Sequence, residues 1–261
     1  MVAGTGRAWI AAGLLGLAAP ASGADDETAG GAGWHGKLEL KREATSRGTP
    51  EETTKTAIKI DTFLDGPVSL FRIDMPFPDE KTSFEGSPFN PKEGDLKIRF
   101  GFRALRSGSH AFPTFVELTF PTANPESLGS GKYQASAGIR MIGPMTLPFP
   151  EARAHKSQFE IQLQHVQSFA GDAERNDLKN TRLEISAYDV WRETYSFKLK
   201  LKPVVDWMQD GKTGATLELE TGWFFARDWK TWIMAGGRVW GPDNIASTYA
   251  TRVELGLSRT Y

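Results

Sequence analysis

The chain has 261 residues, a formal net charge of −1 and no cysteine. The near balance of 31 basic and 32 acidic residues argues against a nucleic-acid partner, which would need a strong basic excess. The lack of cysteine excludes disulfides, thiolate nucleophiles and Cys-bound metals. The mean hydropathy of −0.38 is that of a soluble protein. A membrane barrel can have the same mean hydropathy, however, because only every second residue of each strand is apolar.

The first residues have the layout of a secretory signal peptide. Arg7 supplies a positive start, residues 8–19 are almost all apolar, and small residues occupy 21–24. The apolar run is shorter than the roughly 20 residues that span a membrane as a helix. Three segments are therefore predicted: a signal peptide, a flexible leader and one domain, over residues 1–24, 25–33 and 34–261.

Beyond the leader, the dominant period of the sequence is two. Apolar side chains alternate with mostly basic ones in 96–103 and 195–202, and with threonine, glutamate and glycine in 215–223. Because successive side chains of a strand point to opposite faces, each segment has one apolar and one charged face. Twelve strands are predicted, over residues 34–43, 55–65, 68–75, 94–105, 112–120, 132–141, 157–168, 180–191, 193–205, 212–225, 229–240 and 248–261. The predicted fold class is all-β, an antiparallel up-and-down transmembrane β-barrel of about twelve strands.

Several features favour a barrel in the bacterial outer membrane over an exported soluble β-sandwich. An even number of strands places both chain termini on the same side, and most predicted connections alternate between short periplasmic turns and longer external loops, with 142–156 as the exception. The last strand alternates down to a terminal aromatic, Tyr261, with Arg259 as an interruption. Barrel assembly machinery recognises such C-terminal strands, and it is therefore an expected partner. Tryptophans fall near predicted strand ends, where aromatics meet the headgroups of outer-membrane lipid: Trp34, Trp191, Trp207, Trp223, Trp229, Trp232 and Trp240.

Two short motifs carry a resemblance to a known family. Residues 94–100 read Gly-Asp-Leu-Lys-Ile-Arg-Phe, and 115–122 read Phe-Val-Glu-Leu-Thr-Phe-Pro-Thr, with a Gly-rich loop at 128–131. This frame, which covers roughly 94–141, resembles the outer-membrane family named for the meta pathway of phenol degradation. Ala123 stands where that family usually has glycine. The resemblance implies a barrel channel for small, often aromatic or hydrophobic, molecules, and it implies no catalytic residues.

The polar faces of the predicted strands define a candidate lumen. The predicted register sets Lys200 opposite Glu218. It also sets Lys198 opposite Glu220, and an earlier turn sets Glu184 opposite about Lys200. Such a wall either steers a charged solute or is a self-neutralised filling that makes the barrel rigid, and the matched signs favour the filling. The predicted lumen-lining residues are Lys97, Arg99, Arg103, Arg140, Glu184, Lys198, Lys200, Glu218 and Glu220.

The expected function is passive passage of a small, relatively hydrophobic or aromatic solute across the outer membrane. Phe77, Phe84 and Phe89, in or beside a long predicted loop, are interpreted as an apolar collar at the mouth, or else as residues that pack the loop onto the barrel. A structural barrel with a plugged lumen is the alternative function. No cofactor or metal is expected, because the histidines lack ligand spacing.

A lipid-modifying enzyme is the less favoured alternative. Outer-membrane phospholipases of twelve strands use a Ser–His pair on the outer wall. Here His165 lies on an apolar face and Ser168 is close in sequence, but residues three apart on a strand face opposite sides. The sequence therefore predicts no catalytic residues.

Overall fold

The computed structural model describes residues 35–46, 52–80, 89–146, 155–245 and 247–261. Fourteen strands account for most of these residues. They are β1 (His35–Thr45), β2 (Thr53–Phe63), β3 (Val68–Pro78), β4 (Leu96–Phe102), β5 (Leu105–Ser107), β6 (His110–Phe112), β7 (Thr114–Phe120), β8 (Lys132–Pro144), β9 (His155–Gly171), β10 (Lys179–Trp191), β11 (Tyr195–Asp206), β12 (Lys212–Ala226), β13 (Trp229–Trp240) and β14 (Thr251–Thr260). Short 3-10 helices occupy Glu126–Leu128 and Trp207–Gln209.

Twelve of these strands form one closed antiparallel barrel. Each barrel strand pairs with the next along the chain, and β14 pairs with β1 from Thr260 opposite Lys37 to Arg252 opposite Thr45. The other two strands, β5 and β6, form a hairpin between β4 and β7, and this hairpin joins β8 through Ala111 and Ile142. All twelve predicted barrel strands are present, so the predicted fold class is confirmed. The predicted signal peptide and leader lie outside the described residues.

The two ends of the barrel carry connections of different length. At one end, here called the turn end, the connections include 64–67, 192–194 and 227–228, and the β5–β6 hairpin projects there. At the other, the loop end, longer connections include 79–95 and 121–131. This alternation of short and long connections is typical of outer-membrane barrels. No helix in the described part of the chain is long and apolar enough to cross a membrane.

The outer wall of the barrel is apolar and exposed. Leu199 pairs with Leu219 across β11 and β12, and their exposed fractions are 47% and 56%. Leu255 on β14 is 55% exposed on the same wall. Large apolar side chains that face outward on every side of a closed barrel are typical of a surface that contacts lipid. The interior is correspondingly polar, because strand alternation sends the charged side chains to the other face.

Aromatic side chains surround the turn end of this wall. Trp191 lies 5.8 Å from Tyr195 between ring centroids, and Phe225 lies 6.1 Å from Trp229. The guanidinium of Arg259, which interrupts the apolar pattern of the last strand, lies 5.5 Å from the centre of the Trp229 ring. The charge is therefore placed against an aromatic face rather than in the middle of the apolar wall.

The prediction that Trp232 lies at the lipid headgroups is wrong, because this side chain faces the interior. It is only 7% exposed, and its indole Nε1 donates to Glu254 at 3.1 Å. Its six-membered ring lies against Gly256 of β14, where any Cβ would overlap the ring. A glycine is therefore required opposite this tryptophan. Trp34 lies outside the described residues.

The motif residues that carry the family resemblance join two loops at the loop end. Asp95 is buried, and its carboxylate accepts from the Ser130 backbone N–H at 2.6 Å and from the Ser130 hydroxyl at 2.7 Å. The Thr122 hydroxyl donates to the Gly94 carbonyl oxygen at 3.0 Å. These bonds connect the 79–95 connection to 121–131, so the motif has a structural role here.

We predict that Leu199→Arg destabilises the barrel by roughly 2–4 kcal/mol, the cost of an arginine near the middle of a lipid-facing wall. The measurement is the free energy of unfolding in urea, with the protein folded into phospholipid vesicles. Leu105→Arg is the matched control, since Leu105 is 76% exposed in the β5–β6 hairpin beyond the barrel wall. Equal effects of the two substitutions would contradict the assignment of the outer wall.

Candidate functional site: the barrel lumen

A cavity of about 2000 Å³ occupies the interior of the barrel. Its lining includes Thr53 and Tyr249 at the loop end and Asp65 and Asp228 at the turn end, so the cavity runs from one end of the barrel to the other. Spread over the ~25 Å height of an outer-membrane apolar band, this volume gives a mean cross-section of roughly 80 Å². Such a space admits small solutes and excludes folded proteins.

The structure places all nine predicted lumen residues along this cavity. Lys198 lies opposite Glu220 and Lys200 opposite Glu218, in the predicted register. The predicted pairing of Glu184 with Lys200 is wrong, because Lys200 lies opposite Ser186. The turn between β10 and β11 holds three residues rather than the assumed one, so the register shifts by two and Glu184 keeps the same face.

Glu218 is the centre of an ion-pair network on one wall. It is 1% exposed, and its carboxylate lies 2.9 Å from the Lys202 ammonium, 3.2 Å from the Arg252 guanidinium and 3.5 Å from the Lys200 ammonium. The Tyr249 hydroxyl also donates to it. Burial, together with the neighbouring Glu218 carboxylate, raises the pKa of the Tyr249 phenol, so this group stays protonated and acts as a donor.

Arg252 extends the network from β12 to the first two strands. Its guanidinium lies 2.7 Å from the carboxylates of both Glu43 and Glu254. The Lys41 ammonium lies 3.1 Å from Glu254, and the Lys55 ammonium lies 3.2 Å from Glu43. Because charges of opposite sign alternate across the β1–β14 junction, this part of the lumen fits the self-neutralised filling that the sequence favoured.

The opposite wall carries arginines that pair with single carboxylates. Arg99 contacts Glu117 at 2.7 Å, and Arg140 contacts Glu160 at 3.3 Å. Lys97 lines the same wall. The guanidinium of Arg99 also lies 4.2 Å from the centre of the Phe115 ring. These are single ion pairs, whereas the contacts around Glu218 form an extended network. Fewer carboxylates therefore balance the cations of this wall.

The described lining of the cavity is positively charged overall. It contains seventeen lysines and arginines but eleven aspartates and glutamates, an excess of six. Counting Asp61, which is buried against Arg72, still leaves five. More than half of the 31 basic residues of the chain therefore face the lumen, although the whole chain has a net charge of −1.

An aromatic cluster lies in the turn-end half of the lumen, and the sequence reasoning missed it. The Lys230 ammonium lies 5.5 Å from the Tyr188 ring centre, 5.6 Å from Trp232 and 5.8 Å from Phe224. All four side chains line the cavity. The available signal was the strand period, because Phe224 shares a face with Glu218 and Glu220.

The predicted collar at the mouth is not observed for its described members. Phe77 lies on β3 opposite Thr56. Asp74, an even-numbered residue of β3, lines the cavity, so the odd-numbered Phe77 faces outward. Phe89 contacts the Arg42 guanidinium, whose charge lies 5.1 Å from the ring centre, and neither side chain lines the cavity. Phe84 lies outside the described residues. The two described phenylalanines therefore cover the outer wall.

The geometry of the enzyme alternative agrees with the objection raised from the sequence. His165 is exposed on the outer face and bonds Thr181 at 3.0 Å, whereas the Ser168 hydroxyl donates to Asp177 on the other side of β9. A second histidine, His155, bonds Asp189 at 2.6 Å. The hydroxyl of Ser157 donates to the other oxygen of Asp189 at 2.6 Å.

That arrangement is not a nucleophile–base pair, since serine and histidine both bond the carboxylate instead of each other. In the described residues no group of three metal-ligating side chains could hold a metal ion.

Comparisons with known proteins agree on the fold. The structure is similar to the COG4313 outer membrane channel from Pseudomonas putida F1, with a TM-score of 0.59 and 13% identity over 92% of this chain and all of that chain. It is also similar to the KdgM porin, with a TM-score of 0.55 and 9% identity over 86% of this chain and 99% of that one. The NanC porin gives 0.53 and 8%, over 86% and 98%. No family model and no curated protein matches the sequence.

We predict that Glu218→Gln destabilises the folded barrel by roughly 3–5 kcal/mol, because it leaves buried cations without their carboxylate. Urea unfolding in phospholipid vesicles measures the change. Glu193→Gln is the matched control, since Glu193 forms an exposed pair with Lys156 and its loss should cost about 1 kcal/mol or less. A Glu218→Gln variant as stable as the control would show that the network does not stabilise the barrel.

Proposed function

We propose that this protein is a passive channel through the bacterial outer membrane for small solutes. The observation that carries the proposal is the cavity, which is lined by side chains from one end of the barrel to the other. An apolar exposed outer wall around a polar, continuous interior is the construction of a membrane channel. The similarity in fold to an outer membrane channel and to two porins supports the same function.

Placement in the outer membrane is part of this proposal. The aromatic side chains around the turn end and the exposed leucines of the outer wall support a lipid environment. The terminal Tyr261 lies beside β1, where its backbone N–H donates to the Gly36 carbonyl at 3.0 Å. We propose that this last strand is the segment that the barrel assembly machinery recognises.

The solute that we propose is small and aromatic. The family resemblance of residues 94–141 implies relatively hydrophobic solutes, and the aromatic side chains of Tyr188, Phe224 and Trp232 offer such a molecule ring faces inside the lumen. The rest of the wall is charged, so passage of a wholly apolar molecule is not favoured. A small aromatic molecule that also carries a polar group fits both parts of the lining.

A structural barrel is the second candidate function, and the ion-pair network around Glu218 favours it. That network uses side chains of five strands to brace the wall. A purely structural barrel requires no continuous cavity, however, so the two functions differ in conductance. The purified full chain should give steps of ionic current in a planar lipid bilayer, and a complete lack of current would favour the structural function.

We predict that Phe224→Ala slows the entry of a small aromatic solute by about two- to fivefold, the effect of losing one aromatic contact. Uptake of benzyl alcohol by cells that make the full protein, minus uptake by cells that lack it, is the measured rate. Phe225→Ala is the matched control, because Phe225 is the next residue but is 46% exposed on the outer wall. If both variants behave like the unaltered protein, the aromatic part of the proposal is wrong.

A further inference from the structure

Lys97 and Arg182 are lumen cations without an ion pair in the described chain, although Asp74 on β3 lies opposite Lys97. Both line the cavity, Lys97 from β4 and Arg182 from β10. Neither forms an ion pair with a carboxylate of the described chain, in contrast to Arg99 on β4 and Arg140 on β8. Their charges therefore act on whatever occupies the lumen.

The two side chains face the same half of the lumen although their strands are not neighbours. Three strands, β7, β8 and β9, separate β4 from β10 around the ring. Lys97 is the second residue of β4 and Arg182 the fourth residue of β10, so both line the cavity near the loop-end starts of their strands. Their mutual electrostatic interaction is repulsive, and both are attracted to Glu117.

Glu117, the carboxylate that interacts with both Lys97 and Arg182, already forms an ion pair with Arg99. Glu117 accepts from Arg99, at 2.8 Å from Nε and 2.7 Å from the second guanidinium nitrogen. Both nitrogens contact the same oxygen, Oε2, and neither Lys97 nor Arg182 lies within ion-pair distance of this carboxylate. Two carboxylates, Glu117 and Asp74, therefore face the three cations Lys97, Arg99 and Arg182, and an anion from solution can complete the balance.

The orientation of Arg182 is fixed by a buried amide. Its Nε donates to the Asn180 side-chain oxygen at 2.8 Å, and Asn180 has no exposed surface. The remaining guanidinium N–H groups are left for a ligand, and a planar guanidinium pairs well with a planar carboxylate. Lys97 adds an ammonium group, a second positively charged hydrogen-bond donor on a flexible side chain.

We propose that Lys97 and Arg182 form an anion-binding site in the loop-end half of the lumen, where they bind the carboxylate or other acidic group of a passing small solute. This inference rests on the proposed channel function and names the class of its solute: small organic anions. The excess of basic residues along the described lining attracts such solutes, and the site is where they bind most closely. An aromatic carboxylate has the acidic group for this site and a ring for Tyr188 and Phe224, which it meets in succession as it crosses the lumen.

The test uses single channels of the full-length protein in a planar bilayer under a potassium chloride gradient. We expect a reversal potential that shows preference for chloride over potassium, and a chloride current that benzoate reduces and benzyl alcohol does not. Lys97→Gln and Arg182→Gln should each lower the anion-to-cation permeability ratio by about two- to fivefold, the effect of removing one unit charge near the path. Each should also raise the benzoate concentration that halves the current.

Lys179→Gln is the matched control, because it removes one exposed positive charge next to the same strand start but outside the cavity lining. It should leave both the permeability ratio and the benzoate effect unchanged. Channels that conduct without anion preference, or a control that behaves like the two lumen variants, would overturn the anion site while leaving the channel function intact. A bilayer that shows no conductance at all would instead overturn the channel function on which the site depends.

Discussion

The closed ring of backbone hydrogen bonds is the constraint on which the rest of this molecule depends. An apolar environment offers no partners for unpaired N–H and C=O groups, so a sheet in a membrane must have no free edge. The pairing of β14 with β1 and of β8 with β9 meets this requirement. Once the ring is closed, strand alternation sends one set of side chains outward and the other into a confined interior, and the sequence must satisfy both surroundings at once.

The interior contains many charges, and the structure balances them unequally around the ring. Around Glu218 and Arg252, cations and carboxylates alternate over several strands, and each buried charge has partners. Such pairs are weak sources of net stability but costly to break. Around Lys97 and Arg182 the balance is incomplete. The same lumen therefore combines a region suited to holding strands in register with a region suited to holding a mobile anion.

The sequence predicted the barrel well because one period of two controls both its strands and its faces. Lys198 and Glu220 could be paired from sequence, since a short loop fixes their register. The pairing of Glu184 failed because it depended on the length of one turn. Trp232 was predicted to lie at the membrane interface because it is near the start of a predicted strand, although it shares a face with Lys230, which points into the lumen. Electrostatic interactions across the lumen, such as the repulsion between Lys97 and Arg182, have no signature along the chain.

The described linings of the two ends of the lumen differ in their outermost residues, and this difference has an electrical consequence. At the loop end the described lining ends in hydroxyl groups, from Thr45, Ser46, Thr53, Ser247 and Thr248. At the turn end it ends in charged groups, from Asp65, Arg103, Arg106, Arg227 and Asp228. Fixed charges at a mouth change the local concentration of ions there. In the channel that we propose, a lining that differs between its two ends makes the ionic current depend on the sign of the applied voltage, so the current reports the direction in which each channel has inserted.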